Sequence, residues 1–243
     1  MDQKVALISG GSRGLGREVA FTLANQGYIT VIAYAGNQIK ADETVEMIHA
    51  QGGRAQALQT DVGDIDAVEQ LFKTIHEEFG RIDAVINTAA ISILKPIDEL
   101  SSEEADRIIT TNIKGTFNIL KYAGQYIKEG GRILTFSSNV VESLPINYAM
   151  YAASKAAVEA MSKIMSKELR GREISVNIIS PGPTATDMFL EGKSPELIEH
   201  FAKLSPFERL GQPQDIVKVI QFLLSDDAGW INGQVIKING GSS

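Results

Sequence analysis

Tyr148 and Tyr151 stand three residues apart in the stretch YAMYAASKAAVEAMSKIMSKEL, at the head of a run rich in Ala, Met and Lys that reads as a helix. On a helix, side chains four apart share a face, so a phenol is held beside an ammonium group only when a lysine follows at i+4. Tyr151 has Lys155 there, whereas Tyr148 has Ala152. Tyr151 is therefore the candidate for proton chemistry, and Tyr148 is a packing or pocket-lining residue. The spacing by itself also suits an amphipathic helix with a solvated lysine, so the surrounding elements must decide.

A second stretch that could do chemistry is SGGSRGLGREVA, directly after the apolar run VALIS. Gly10, Gly14 and Gly16 open a helix there. A strand-to-helix turn that holds a pyrophosphate needs glycine where the chain turns sharply, where it approaches the phosphates and where helix meets strand. The spacing is GxxxGxG rather than GxGxxG. The next strand, ITVIAY, ends in Tyr34, Ala35, Gly36 and Asn37, which offer no carboxylate to bind a ribose 2′-hydroxyl or to repel a 2′-phosphate. Arg13, inside the turn, supplies a cation that can pair with that phosphate. NADPH/NADP is thus expected over NAD.

These residues need a frame to position them. Short apolar runs recur as VALIS, ITVIAY, AQALQTDV, IDAVINTA, RILTFSS, ISVNIIS and QVIKING. Between them lie segments of helical periodicity such as GREVAFTLANQG, IKADETVEMIHAQGG and IDAVEQLFKTIHEEFG, each closed by glycine. Strands without polar alternation, each followed by a crossover helix, predict an α/β, doubly wound parallel sheet of about seven strands. One domain over residues 1–243 accommodates it. The rhythm breaks between Pro181 and Pro213, a proline-rich excursion longer than an ordinary connection, which predicts a lid at about 183–212.

Composition removes several alternatives. The chain has no cysteine, so disulfides and thiolate chemistry are excluded, and His49, His76 and His200 are scattered at no ligand-like spacing, so no metal is expected. A net charge of -7 argues against broad nucleic-acid binding. The opening MDQKVALISGG has no long apolar segment, which predicts a cytoplasmic protein without membrane attachment.

The glycine turn, Asp61 at the end of the third strand in TDV, Asn87 in INTAA, Asn112 in TTNIKG, Ser138, Tyr151, Lys155, SPGPTAT and GQVIKINGG occur in an order that resembles the short-chain dehydrogenase/reductase family. Within it the chain resembles the 3-oxoacyl-acyl-carrier-protein reductase group. The resemblance covers essentially the whole chain and implies a Rossmann-type fold. It implies that Gly10, Ser12, Arg13, Gly14 and Leu15 line the diphosphate and adenosine phosphate, with Tyr34 and Asn37 at the adenosine end. Asp61 and Val62 would border the adenine, Asn87 and Ala89 the nicotinamide side. Thr186 would contact the carboxamide, and Ile179 to Gly182, including Pro181, would support the ring. Thr88, Ala90 and Ser9 depart from the family pattern, and Ala90 lacks the freedom of glycine at positive φ.

The resemblance also implies a mechanism. Ser138, rather than its neighbour Ser137, would hydrogen-bond the substrate carbonyl, Tyr151 would deliver a proton, and Lys155 would lower the pKa of that phenol and hold the nicotinamide ribose. Asn112 would link Lys155 to solvent through a water. The substrate class is a small-molecule carbonyl, a thioester-linked one among the candidates, with Val140, Leu144, Pro145, Met188, Phe189 and Leu190 forming a partly apolar pocket. Lys163, Lys167, Arg170 and Arg172 could steer an acidic carrier protein, although a solvated helix face explains the same run. A homotetramer is expected, with a dimer as the alternative. An NAD-linked alcohol or sugar dehydrogenase and a non-catalytic NADPH sensor are the competing functions.

Overall fold

The structure is a computed structural model that describes residues 3–242; Met1, Asp2 and Ser243, within the expected 1–243 domain, lie outside the described residues. The apolar runs form β1 (Val5–Ser9), β2 (Ile29–Tyr34), β3 (Arg54–Gln59), β4 (Ala84–Asn87), β5 (Arg132–Phe136), β6 (Ser175–Pro181) and β7 (Val235–Ile238). They pair in parallel in the order β3-β2-β1-β4-β5-β6-β7. Every residue of β1, β2 and β4 is buried, which is why these runs lack polar alternation. The chain begins at β1, winds outward to β3, then crosses back to β4. The crevice that ligands use in such sheets opens above the carboxyl ends of β1 and β4.

Helices cover both faces. On one lie α1 (Gly14–Asn25), α2 (Gln38–Ala50) and α10 (Pro213–Leu223), contributing Val19, Leu23, Ile48, Ile216 and Ile220 to one core. On the other lie α3 (Ile65–Phe79), α5 (Gly115–Tyr126) and α7 (Ala149–Glu168), contributing Leu71, Phe72, Ile119 and Met165. As expected from the glycines that close these segments, Gly80 ends α3 in the left-handed conformation at φ 68°.

The third strand ends earlier than expected. Its last residue is Gln59; Thr60 donates to Tyr34 O, and Asp61 then turns the chain by accepting the Gly63 N–H at 2.8 Å. Asp61 therefore belongs to the turn and not to the strand. Its short carboxylate satisfies a backbone amide that the ladder can no longer reach.

Helix α4 (Ser102–Ile108), capped by Ser101 and Glu104, runs through a wider π turn at Ile109–Lys114 into α5, and the short α6 (Val140–Ser143) follows β5. Beyond β6 the excursion leaves and returns at one point, because Gly211 N donates to Pro183 O and Ala185 N donates to Gly211 O. It holds α8 (Asp187–Leu190) and α9 (Pro195–Lys203), neither of which has a buried residue. Phe189 and Phe201 pack edge to face there at 5.2 Å. No helix among the described residues is long and apolar enough to cross a membrane, and no group of three or more described His, Asp or Glu residues could hold a metal ion.

Candidate active site

Tyr151 sits in the first turn of α7, where the i+4 spacing brings Lys155 Nζ 5.7 Å from its ring centre. Lys155 is buried, and its Nζ donates to Phe136 O at 2.8 Å. The chain continues from Phe136 into the two serines, and strand alternation sends them opposite ways. Ser137 donates to the Glu159 carboxylate at 2.6 Å. Ser138 accepts the Val140 N–H at 3.4 Å and lies near enough to Tyr151 to pull its phenol pKa down. The structure thus brings Ser138, Tyr151 and Lys155 together and leaves Ser137 out.

Tyr148, which precedes α7, packs edge-on against Tyr151 at 6.4 Å. Burial pushes the Tyr151 phenol up to about 12, with the Ser138 hydroxyl pulling the other way. Burial also pushes Lys155 down to about 8. The expected lowering of Tyr151 by Lys155 is therefore not what the folded chain shows. Desolvation of both groups outweighs the lysine cation, whose Nζ is turned to a carbonyl. At neutral pH the phenol is fully protonated.

Asn112 lies in the π turn, a widening that recurs at functional sites. Its side chain accepts the Ile91 N–H and donates to Ile91 O, both at 2.9 Å. It also donates to Ser154 Oγ, which in turn donates to Tyr151 O at 2.7 Å. Asn112 O accepts the Thr116 hydroxyl, Thr116 accepts from Asn87 Nδ2, and Ser9 donates to Asn87 Oδ1. One buried polar chain therefore runs from β1 to α7. It takes up both polar atoms of the Asn87 side chain. Nothing in the sequence marks Thr116, and the one local signal for Ser154 is a small polar residue on the buried face beside Lys155.

At the other end, the glycine turn is tight on one side and open on the other. Gly10 has φ 71°, and a Cβ there would meet Ala89 N at 2.9 Å; one at Gly16 would strike Gly10 O. A Cβ at Gly14 would meet nothing nearer than Thr186 at 3.8 Å. The first turn of α1 holds no acidic residue, and Arg13 before it makes no capping bond, so the helix amides are free for an anion. These features fit a dinucleotide diphosphate. Ser12 is buried and its carbonyl accepts the Thr44 hydroxyl, while Leu15 packs on the α1 core.

The remaining expected positions fall around this cradle. Arg13 is exposed beside the opening, Tyr34 is buried at the end of β2, and Asn37 caps α2 by accepting the Lys40 N–H. Val62 is buried, and its carbonyl accepts from Asn118 at 2.8 Å. Pro181 O accepts from Asn139 N and Gly182 N donates to Ile238 O, fixing the end of β6. Thr186 stands just before α8, facing Gly14. Ala90 is not among the residues at positive φ, so its methyl group causes no strain. Ser9 keeps a hydroxyl donor inside the polar chain.

A sheet wound both ways from its first strand, with a phenol and an ammonium group at its carboxyl end, is the arrangement of a nucleotide-dependent oxidoreductase. A family model described as "Enoyl-(Acyl carrier protein) reductase" matches residues 10–243. A Picea abies protein named "Short-chain type dehydrogenase/reductase" is 42% identical over 98% of this chain and 92% of its own. An Arabidopsis thaliana protein named "NADPH-dependent aldehyde reductase 2, chloroplastic" is 39% identical over 98% of this chain and 93% of its own. A crystal structure of a Burkholderia cenocepacia short-chain dehydrogenase in complex with NADP superposes with a TM-score of 0.93 at 31% identity, covering 99% and 98% of the two chains. The chain belongs to the short-chain dehydrogenase/reductase family and is an oxidoreductase of that family, acting between alcohols and carbonyls with a nicotinamide cofactor.

Proposed function

We propose that the protein is an NADPH-dependent reductase that converts a ketone, such as a 3-oxoacyl thioester or a similar carbonyl, to a secondary alcohol. The observation that carries this reading is the Ser138–Tyr151–Lys155 cluster, in which two hydroxyls converge where one substrate oxygen can accept from both. The cofactor supplies the hydride. Tyr151 gives the proton to the oxygen on which charge develops, and Ser138 orients it. Lys155 holds positive charge behind the phenol, and Asn112, bonded to Ser154 one residue away, is placed to return the proton from solvent through a water.

NADP is favoured over NAD by Arg13 beside the open side of the glycine turn and by the absence of a carboxylate from Tyr34 to Asn37. The NADPH-dependent aldehyde reductase and the NADP-bound structure among its relatives agree with that choice. Gly10, Ser12, Gly14, Leu15, Asp61, Val62, Asn87, Ala89, Pro181, Gly182 and Thr186 would frame the rest of the cofactor.

The substrate side is apolar. Leu144, held at φ 43°, and Ile146 are exposed and line a groove with Ile97, Pro145, Tyr148 and Ala152, the last two flanking Tyr151 in sequence. The segment at 183–212, pinned at Pro183–Gly211, contributes nothing to the lining of this groove and would act as a lid from the side of Gly14, which Thr186 faces. Of the basic run, Arg172 is spent on Gly124 O, Ile127 O and Glu129 and Lys163 pairs with Glu159, which leaves the exposed Lys167 and Arg170 as the cations that could meet an acidic carrier. Exposed Phe117 on α5 and Ile164 on α7, with Phe222 and a fully exposed Trp230 near β7, support assembly into a tetramer, which light scattering tests.

The reading is tested by NADPH oxidation against acetoacetyl-CoA, quinones and simple ketones, with NADH in parallel. Turnover with at least one ketone and a preference for NADPH is expected. Turnover with none, in folded protein that binds NADPH, points to the sensor.

A further inference from the structure

The first turn of α2 and the first turn of α8 are joined by one ion pair, Lys40 Nζ to Asp187 Oδ2 at 3.7 Å. The pair links the helix that follows β2 to the residue after Thr186, which faces the open side of Gly14. Below it, the Thr44 hydroxyl donates to Ser12 O and to Lys40 O, which ties the start of α2 to the turn. Above it, Asp187 follows Thr186, the nearest residue to the open face of Gly14. Arg13, with no capping contact of its own, stands in the chain between Ser12, held by the first anchor, and Gly14, faced by the second.

We propose that Lys40 is a second determinant of NADP specificity and that Asp187 holds it in reserve. When a 2′-phosphate arrives beside Arg13, Lys40 exchanges the carboxylate for the phosphate, and the excursion bearing Asp187 loses its tie to α2. The inference rests on the NADP reading above and extends it to the lid. The exchange has a physical direction. Both partners are substantially exposed, 37% for Lys40 and 57% for Asp187, so their pair is weak. A phosphate near neutral pH carries up to two charges and three acceptor oxygens, which makes it the stronger partner.

The two members of the pair must then act on binding with opposite sign. A pair that only braces the fold would give the same sign for both. The test measures dissociation constants of adenosine 2′,5′-bisphosphate and 5′-AMP by calorimetry, which requires no turnover, for wild type, Lys40→Gln, Asp187→Asn and the double variant. Lys40→Gln should weaken the bisphosphate by about fivefold or more. Asp187→Asn should tighten it and should have no effect in the Lys40→Gln background. Affinity for 5′-AMP should stay constant throughout, which also shows that each variant is folded.

Tightening by Asp187→Asn that persists without Lys40 would reduce Asp187 to general repulsion and overturn the exchange. Equal losses in both single variants would overturn it too. Wild-type preference for the bisphosphate with no change in Lys40→Gln would overturn this inference alone, whereas equal wild-type affinity for the two nucleotides would overturn the NADP reading itself.

Discussion

Asn112 Nδ2 donates to Ser154 Oγ at 3.0 Å, and this bond fastens the π turn to the helix turn that carries Tyr151. Both residues are buried. Removing the Ser154 hydroxyl withdraws one partner from Asn112 and one from Tyr151 O. Ser154→Ala should cost about 1–2 kcal/mol in a denaturant titration and should lower kcat more than it raises KM. A loss of stability with kcat unchanged would leave Ser154 as packing only.

Titration offers a second check. Reduction needs a protonated Tyr151 and a charged Lys155, and Lys155 is the group pushed down to about 8. The kcat/KM of reduction should be level below about pH 7 and fall above about pH 8, as Lys155 loses its proton.

The same shift governs stability. Below pH 8 the folded and unfolded chains both hold the Lys155 proton, and its burial cost is felt in full. Between about 8 and the ordinary value of 10.5 the unfolded chain binds more protons, so this cost is relieved as pH rises. The stability of Lys155→Met relative to wild type should therefore decline between pH 7 and pH 10, by an amount on the order of 1–3 kcal/mol. Denaturant titrations that give the same difference at both pH values would contradict the burial of a charged Lys155.

Cofactor choice can be reversed at one end of β2. Arg13→Ala should raise KM for NADPH by roughly tenfold or more, since a charge-assisted hydrogen bond is worth about 1.5–3 kcal/mol, with NADH little changed. The reverse substitution belongs at Gly36, where a side chain meets nothing within 4 Å, and not at Tyr34, whose buried position would desolvate a carboxylate. Gly36→Asp should favour NADH. Equal losses for both cofactors on removing Arg13 would show that the phosphate is not read there.

The parts of this site that the sequence discloses are those built on local periodicity. Tyr151 and Lys155 are four apart on one helix, and the glycine turn is a contiguous segment between β1 and α1, so spacing alone places them. The sheet is legible for the same reason, since its central strands are uninterrupted apolar runs. What joins the two ends is not local. Ser9, Asn87, Asn112, Thr116 and Ser154 come from five elements and meet only because the sheet order sets β1 beside β4 and the π turn turns Asn112 inward. Nothing near Ile109–Lys114 announces that extra residue per turn. The pKa directions were hidden as well, because burial of Tyr151 and Lys155 depends on packing across the chain.

The central claim is that Tyr151, and not Tyr148, delivers the proton. The measurement is the single-turnover rate of NADPH oxidation with a reactive ketone, alongside the NADPH dissociation constant, for Tyr151→Phe and Tyr148→Phe. Tyr151→Phe should slow the reaction by roughly 100-fold or more while NADPH still binds, because Lys155 and the glycine turn are untouched. Tyr148→Phe should react near the wild-type rate, since its ring contact with Tyr151 survives. Normal turnover by Tyr151→Phe, with Tyr148→Phe the inactive variant, would contradict the assignment.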